Sequence, residues 1–310
     1  MNRFKFRPPG LLLLLIAALC GCASPYHYSD DGPGYRVPNK AAQRAIRSGL
    51  KHSNAEDYTG ALPYYTKAVE ADPANNFVRN YRLICYRGLK QYDLALQECN
   101  AMVQIAPQAV GPYQDRGQVL LQLNRPDEAM ADFERAKIIA PASTAADLGI
   151  AQASQQKGDY DEALRRFNAI MQANPTWFWL RLNRGRCYLA KHDYDLAIAD
   201  FDAYLKASPD GLGVLYWRAK ALDQAGRSNE ALAAYQDFHK RLSSARLKGS
   251  KTAQNLKNFG LYTVIGTVLL SPGLGLATVL DNPATGFTKS YDDIDAEVVK
   301  RIQELSTTPQ

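Results

Sequence analysis

A period of 34 residues runs through most of this sequence and sets the strongest limit on its fold. Prolines recur at this spacing, as Pro73, Pro107, Pro141, Pro175 and Pro209. Alanines keep the same spacing without exception, as Ala61, Ala95, Ala129, Ala163, Ala197 and Ala231. A constant period of this length is typical of an array of helical hairpins, in which each unit packs only against its neighbours.

Two further repeat positions predict how each hairpin packs. Four residues after each alanine stands a mostly aromatic set: Tyr65, Cys99, Phe133, Phe167, Phe201 and Tyr235. The position twelve residues before each alanine holds a small residue in every repeat except the second, which has Leu83. Its residues are Gly49, Leu83, Gly117, Ala151, Gly185 and Ala219. We expect the small residue of the first helix to face the alanine of the second, so that the helices cross closely. The aromatic ring then fills the space between hairpins.

The ends of the second helix of each hairpin are also marked. Asp57, Asp159 and Asp193 stand in the turns before it and can accept hydrogen bonds from its first N–H groups. The recurring prolines follow it and stop it, because proline cannot continue a helix.

Charged residues recur within some of the hairpins. Arg82, Arg116 and Arg184 occupy one first-helix position, and Glu98, Asp132 and Asp200 stand sixteen residues after them. Repeats one and four lack both charges of this pattern, and Arg218 has Ala234 where the acid is expected. We interpret the pairs as structural ion pairs that tie the two helices of a hairpin together.

The whole pattern resembles the tetratricopeptide repeat family over residues 42–243. The resemblance implies an all-α superhelical solenoid of about six helix-turn-helix repeats, with a concave inner surface that binds partners. Leu83 at the small position, Pro126 and Ser243 depart from the pattern.

The first residues indicate a secretory signal. A basic start is followed by an apolar stretch at 11–19, which is too short to span a bilayer. The stretch ends in Leu19-Cys20-Gly21-Cys22, which resembles the bacterial lipobox. That resemblance implies a signal peptide at 1–21, removed in the mature protein, and a lipid anchor on Cys22.

Ala23, rather than Asp, follows Cys22, which by the sorting rule of that lipoprotein class implies the periplasmic face of the outer membrane. The alternative is ordinary cleavage near Ala23, which would give a soluble periplasmic protein. Residues 22–41 contain several prolines and glycines among polar residues and are interpreted as a tether.

Composition and motifs exclude several classes of function. The net charge of +6 falls to about +3 without the first three basic residues, too little to indicate binding of nucleic acid. The sequence lacks recognisable catalytic or phosphate-binding motifs, so we expect no enzyme and no cofactor. We also expect no metal site, because Cys85, Cys99 and Cys187 lack ligand spacing. A Cys85–Cys99 disulfide is allowed, but buried thiols are favoured.

In the tetratricopeptide family, ligands lie along first-helix residues of the concave face. Mapping this face predicts a partner-binding groove of Asn80, Gln114, Gln118, Gln152, Gln155, Asn183, Arg186, Tyr216 and Lys220. Such amides can bind the backbone of an extended peptide. The set of charged and amide residues with which some members bind chaperone C-termini is missing. Trp177 and Trp179 either pack between repeats, which we favour, or form a surface patch that binds a partner.

The C-terminal extension, 244–310, contains an apolar segment at 259–280 and a predicted amphipathic helix at 290–305. Ser271-Pro272-Gly273 interrupts the apolar segment, so we predict a bent hairpin that caps the last repeat, with membrane insertion as the alternative.

Together these features predict a lipid-anchored, non-catalytic envelope scaffold that binds envelope proteins or extended peptides. The alternatives are a membrane-active protein that inserts its apolar C-terminal segment, and a soluble periplasmic peptide-binding module.

Overall fold

The structure, a computed structural model, describes residues 34–55, 57–247 and 291–307. Over these ranges the regular structure consists of thirteen helices and no strands. Twelve of the helices form six successive hairpins: α1 (Lys40–Ser53) with α2 (Tyr58–Ala71), α3 (Asn76–Gly88) with α4 (Tyr92–Ile105), α5 (Val110–Gln122) with α6 (Pro126–Ile139), α7 (Thr144–Lys157) with α8 (Tyr160–Ala173), α9 (Leu180–Ala190) with α10 (Tyr194–Ala207), and α11 (Leu212–Gln224) with α12 (Ser228–Leu247). The thirteenth, α13, is Tyr291–Thr307.

The hairpins stack in chain order. Each second helix packs against its own first helix and against the first helix of the next hairpin. First helices of neighbouring hairpins also touch, as in α1 with α3, α5 with α7 and α9 with α11. Contacts between neighbours therefore build the array, which confirms the predicted all-α solenoid of six hairpins.

The aromatic position supplies the largest side chains of the core. Tyr65, Phe133 and Phe201 are each no more than 1% exposed. A Cβ atom built on Gly117 would lie only 2.7 Å from the ring of Phe133, and one built on Gly49 would lie 2.5 Å from the ring of Tyr65. The aromatic ring of the same hairpin therefore lies against the small residue, and the close crossing at the alanine stays a prediction.

The second hairpin shows how the repeat tolerates its large residue. Leu83 occupies the small position there, and Cys99 replaces the aromatic ring. Both side chains are fully buried in one core cluster. A large and a small side chain have exchanged places, which keeps the volume of the interface nearly constant.

The turns inside hairpins two to six share one backbone feature. The residue with positive φ recurs every 34 residues, as Lys90, Asn124, Gly158, His192 and Gly226. Asp57 and Asp159 accept hydrogen bonds from Gly60 N (2.8 Å) and Glu162 N (3.2 Å), as expected of helix caps. Asp193 makes no such bond, so its predicted capping role is wrong.

The predicted ion pairs are confirmed in all three hairpins. Arg184 donates to both carboxylate oxygens of Asp200, at 2.7 and 2.6 Å, and Arg116 does so to Asp132 at 2.8 and 2.7 Å. Arg82 donates to one oxygen of Glu98 at 2.8 and 2.5 Å. The acids are buried while the arginines are partly exposed, so each pair closes the edge of its hairpin.

Two of the three hairpins that depart from the pattern have substitutes. In the fourth, Arg166 stands at the acid position and contacts Asp147 at 3.1 Å, so the charges are reversed. In the sixth, Arg218 pairs with Asp202, an acid of the preceding hairpin.

The two ends of the array are covered by chain outside the hairpins. At the start, Tyr35 is buried, and Gly34 O accepts a hydrogen bond from Asn76 N at 2.7 Å. At the end, α13 packs on α12 and buries Ile294 and Val298, in the place of a seventh first helix. The apolar segment 259–280, predicted to cap this end, lies outside the described residues.

Candidate partner-binding surface

A row of polar side chains crosses the first helices of hairpins three to six. Its members, 34 residues apart, are Gln118, Gln152, Arg186 and Lys220. Gln118 Nε2 donates a hydrogen bond to Gln152 Oε1 at 3.1 Å, so these two members of the row are in contact. The helical period therefore brings these predicted groove residues together on one side of the array.

Several other predicted groove residues are buried between repeats. Gln114 is 2% exposed and donates to Ser143 Oγ at 2.9 Å in the next hairpin. Gln155 is 7% exposed and donates to the backbone oxygen of Asn183 at 3.0 Å, again across a repeat boundary. These amides join neighbouring hairpins, and partner binding by them stays a prediction. Asn80 is half-buried on α3.

The terminal helix lies against the predicted groove residue Tyr216. The Tyr216 hydroxyl donates to Glu297 Oε1 at 3.3 Å, and Arg301 of the same helix forms a fork with Asp223 at 2.8 Å. Burial and the neighbouring Glu297 carboxylate raise the pKa of Tyr216. Helix α13 therefore covers part of α11, the first helix of the sixth hairpin, next to the polar row.

The end of the row formed by α9 and α11 is cationic. The Arg186 guanidinium lies over the indole ring of Trp217, 4.9 Å from its centroid, and the Lys220 ammonium lies 5.4 Å from the same centroid. Contacts of this kind hold cations beside an aromatic ring without neutralising their charge. Trp217 was absent from the predicted groove, although it stands one period after Asn183 and could have been found by that spacing.

Arg186 differs from the other first-helix arginines in its environment. Its Nε and Nη1 atoms are shielded from solvent and have no hydrogen-bond partner among the described residues. This burial lowers the pKa of the guanidinium to about 10. The group keeps its positive charge at neutral pH but lacks the acceptors that a buried cation requires.

The remaining candidates are structural. Trp177 and Trp179 stack on each other at 5.6 Å and are partly buried against the core, as the packing interpretation expected. Cys85, Cys99 and Cys187 are buried thiols that form no disulfide among the described residues. Burial raises the pKa of Cys187 to about 12, so its thiol stays protonated and unreactive.

Neither a membrane-spanning helix nor a cluster of metal-ligating side chains occurs among the described residues. None of the helices in 34–55, 57–247 and 291–307 combines the length and hydrophobicity that crossing a bilayer requires. Within the same part of the chain, His, Cys, Asp and Glu side chains do not gather in threes at a possible metal site.

The fold and the surface define a class of protein, a solenoid of helical hairpins with a polar row along its first helices. Models of the tetratricopeptide repeat match residues 41–110, 83–153, 148–211 and 182–241, which together run without a gap from 41 to 241. The chain belongs to the tetratricopeptide repeat family. Its relatives are generally protein-interaction scaffolds that bind peptides and proteins, and they are typically non-catalytic.

Curated relatives match only part of this chain. RNA polymerase II-associated protein 3 of Mus musculus is 28% identical over 112 residues, 36% of this chain. Heat shock protein STI1 of Saccharomyces cerevisiae is 32% identical over 99 residues, 32% of this chain. Each match spans 17% of the relative's length.

Two solved structures resemble the array more fully. PilW, described as a type IV pilus biogenesis factor, has a TM-score of 0.58 at 20% identity, covering 71% of this chain and 99% of PilW. A tetratricopeptide repeat protein from Parabacteroides merdae has a TM-score of 0.58 at 21% identity, covering 71% of this chain and 84% of its own. These similarities concern the fold.

Proposed function

We propose that this protein is a lipid-anchored scaffold of a bacterial cell envelope, which binds proteins or extended peptides along its first helices and performs no catalysis. The proposed anchor is Cys22, and the proposed location is the periplasmic face of the outer membrane. Residues 22–33 would connect the anchor to the array, because the chain already packs on the array at Tyr35 and α1 begins at Lys40.

The main support for the binding proposal is the cationic end of the row, where the positive charges have no ion pair among the described residues. Arg184, two residues from Arg186, has both carboxylate oxygens of Asp200 as acceptors. Among the described residues, Arg186 and Lys220 have no ion pair, and each lies against the Trp217 ring. A buried cation without acceptors costs stability, so its presence supports a role in binding rather than in folding.

The support for the envelope location is in the sequence. The basic start, the short apolar stretch and Leu19-Cys20-Gly21-Cys22 stand in the order expected of a lipoprotein signal. A lipid anchor with two or three chains holds a protein stably on a membrane, because each buried methylene contributes about 0.8 kcal/mol.

The proposal is tested by changing the row and measuring partner capture. The full chain is expressed with an affinity tag in its own cells, crosslinked, purified and analysed by quantitative mass spectrometry. The test variant replaces three side chains by alanine: Gln152, Arg186 and Lys220. We expect the co-purified proteins to fall to the background level while circular dichroism stays helical.

A variant of matched composition controls for loss of charge and polarity. It replaces three exposed residues of the second helices α8 and α10 by alanine: Gln172, Arg165 and Lys206. We expect this control to retain the captured proteins. Equal capture by the test variant and the parent chain would show that partners bind elsewhere and would refute the proposal.

A further inference from the structure

The outward face of α1 carries a single sign of charge. Its basic residues, which we call the α1 stripe, are all exposed: Lys40, Arg44, Arg47 and Lys51. With 3.6 residues per turn, these four positions fall within about 60° of one another around the helix. The buried residues Ile46 and Gly49 lie on the opposite side, and α1 contains no Asp or Glu. The α1 stripe is therefore continuous and about 16 Å long.

The α1 stripe has no counter-charge nearby. Arg79 and Arg82 of α3 show how this fold neutralises a first-helix arginine, since both contact Glu98 of their own hairpin. The position equivalent to Glu98 in the first hairpin holds the neutral residue Tyr64. None of the four stripe residues has an ion pair among the residues that the structure describes. Their charge is available to a partner outside this part of the chain.

The repeat shows which way the α1 stripe points. One period after Arg44 and Lys51 stand Val78 and Cys85, which are fully buried in a core cluster with residues of the preceding hairpin. No hairpin precedes α1 in the described chain, so the same face of α1 is the free end of the array. The residues before α1 leave this face open, because they run to the second hairpin, where Asn75 Nδ2 donates to the backbone oxygen of Arg36 at 3.0 Å.

The single sign of charge distinguishes this end from a surface that only keeps the array soluble. A terminal repeat needs a polar outer face, and acidic residues serve solubility better than basic ones. The other end of the array shows such a mixed surface, because α13 exposes Asp293, Glu297 and Lys300. A purely basic end is typical instead of a surface that attracts an anionic partner.

The proposed anchor places this end of the array next to a membrane. Cys22 and Gly34, the first described residue, are twelve residues apart, so the chain between them reaches at most about 40 Å. The first hairpin is therefore the part of the array nearest to the anchor. Basic clusters beside a lipid anchor are attracted to anionic lipid headgroups and strengthen membrane binding.

We propose that the α1 stripe binds anionic phospholipid headgroups, so that the array stands on the membrane with its first hairpin. This inference rests on the proposed function, since it takes Cys22 as the anchor. Contact through α1 fixes the orientation that a flexible connection alone leaves open. Hairpins three to six, which hold the polar row, then remain free for a partner.

Photo-crosslinking to lipid in reconstituted vesicles tests the proposal. The full chain is purified with its anchor from its own cells and inserted into vesicles of phosphatidylcholine alone, or of equal parts phosphatidylcholine and phosphatidylglycerol. A photoreactive amino acid replaces Ser48, which lies on α1 beside the stripe, or Gln172, which is exposed on α8. Vesicle flotation measures the anchor, and mass spectrometry of the lipid adduct measures contact with the bilayer.

The wild-type chain should show a contact that depends on charge. In vesicles with phosphatidylglycerol, we expect position 48 to give about tenfold more lipid adduct than position 172, and about tenfold more than in phosphatidylcholine alone. At about 1 M salt, where the Debye length falls to about 3 Å, this excess should disappear. The salt dependence requires no change to the stripe, so it tests the proposal even if a stripe variant folds poorly.

A variant with every stripe residue changed to Gln gives the quantitative test: Lys40, Arg44, Arg47 and Lys51. Each basic residue near an anionic surface strengthens binding about fivefold, so the adduct from position 48 should fall about tenfold or more. A control variant loses the same charges from exposed positions of α8, α10 and α12, again by change to Gln: Arg165, Lys206, Lys240 and Arg241. We expect the control to keep the adduct, and circular dichroism to show equal helix content in both variants.

The outcomes separate this inference from the function on which it rests. Equal adducts in the two kinds of vesicle, or an adduct that the stripe variant and the control retain equally, would overturn the membrane contact of α1 and leave the anchor standing. A full chain that floats with neither kind of vesicle would refute the lipid anchor, and the membrane contact with it.

Discussion

Replacement of Arg184 by alanine should destabilise the fifth hairpin strongly. Asp200 would lose two hydrogen bonds, and its carboxylate is only 4% exposed, so water cannot replace them. The carboxylate would keep Arg181, 3.3 Å away and more exposed, as its remaining partner. Arg184 also donates to Asn168 of the preceding hairpin at 2.7 Å, and this bond would be lost too.

The expected loss follows from these contacts. Breaking a buried pair by removing one partner costs about 3–5 kcal/mol. Because Arg181 remains as a partner of Asp200, we expect a loss of about 2–4 kcal/mol here. For an array of this length each kcal/mol lowers Tm by about 2–4 °C. Circular dichroism melting and urea titration of the full chain measure the loss.

The same repeat position in the sixth hairpin offers a matched control. Arg218 pairs with Asp202, which is 51% exposed, so Arg218→Ala should cost less than about 1 kcal/mol. Removal of both Arg184 and Asp200 should cost less than the sum of the single changes, because the second change removes the unpaired charge. Equal losses for Arg184→Ala and Arg218→Ala, or additive losses in the double variant, would refute the argument.

Three further changes test other parts of the account. Ala197→Leu should lower the free energy of unfolding by about 1–3 kcal/mol, because Ala197 is fully buried, and an unchanged urea midpoint would show that the site has room. Arg186→Met should raise Tm, because burial without hydrogen-bond acceptors lowers the pKa of the guanidinium to about 10, and an unsatisfied buried donor costs about 1–3 kcal/mol, which the Trp217 contact offsets only in part. A lower Tm would show that the guanidinium stabilises the fold. Cys22→Ala should leave an uncleaved or mislocalised precursor in cell fractionation, and normal processing would exclude the lipid anchor.

The repeating sequence predicts the hairpins and three ion pairs for the same physical reason. A fixed period brings residues sixteen apart, such as Arg116 and Asp132, to the same level of one hairpin whatever the rest of the sequence. The reversed pair in the fourth hairpin escaped this reasoning, because Asp147 and Arg166 are nineteen residues apart. The partner of Arg218 lies in the preceding hairpin, so a comparison of positions within one repeat does not find it.

The candidate site was only partly predictable. The period places Gln118, Gln152, Arg186 and Lys220 on one side of the array, and the structure brings the first two into contact. Spacing does not decide whether a long amide points to solvent or reaches the next hairpin, as Gln155 does. That choice depends on the distance between neighbouring first helices, which the packing of buried rings sets.

Site-specific photo-crosslinking in cells tests the central claim most directly. A photoreactive amino acid is placed at Gln152, half-buried in the row, or at Arg165, exposed on a second helix. The account predicts a discrete crosslinked product from position 152, which is lost when Arg186 and Lys220 are also changed to Gln. Equal products from both positions, or a product from position 165 alone, would contradict partner binding along the first helices.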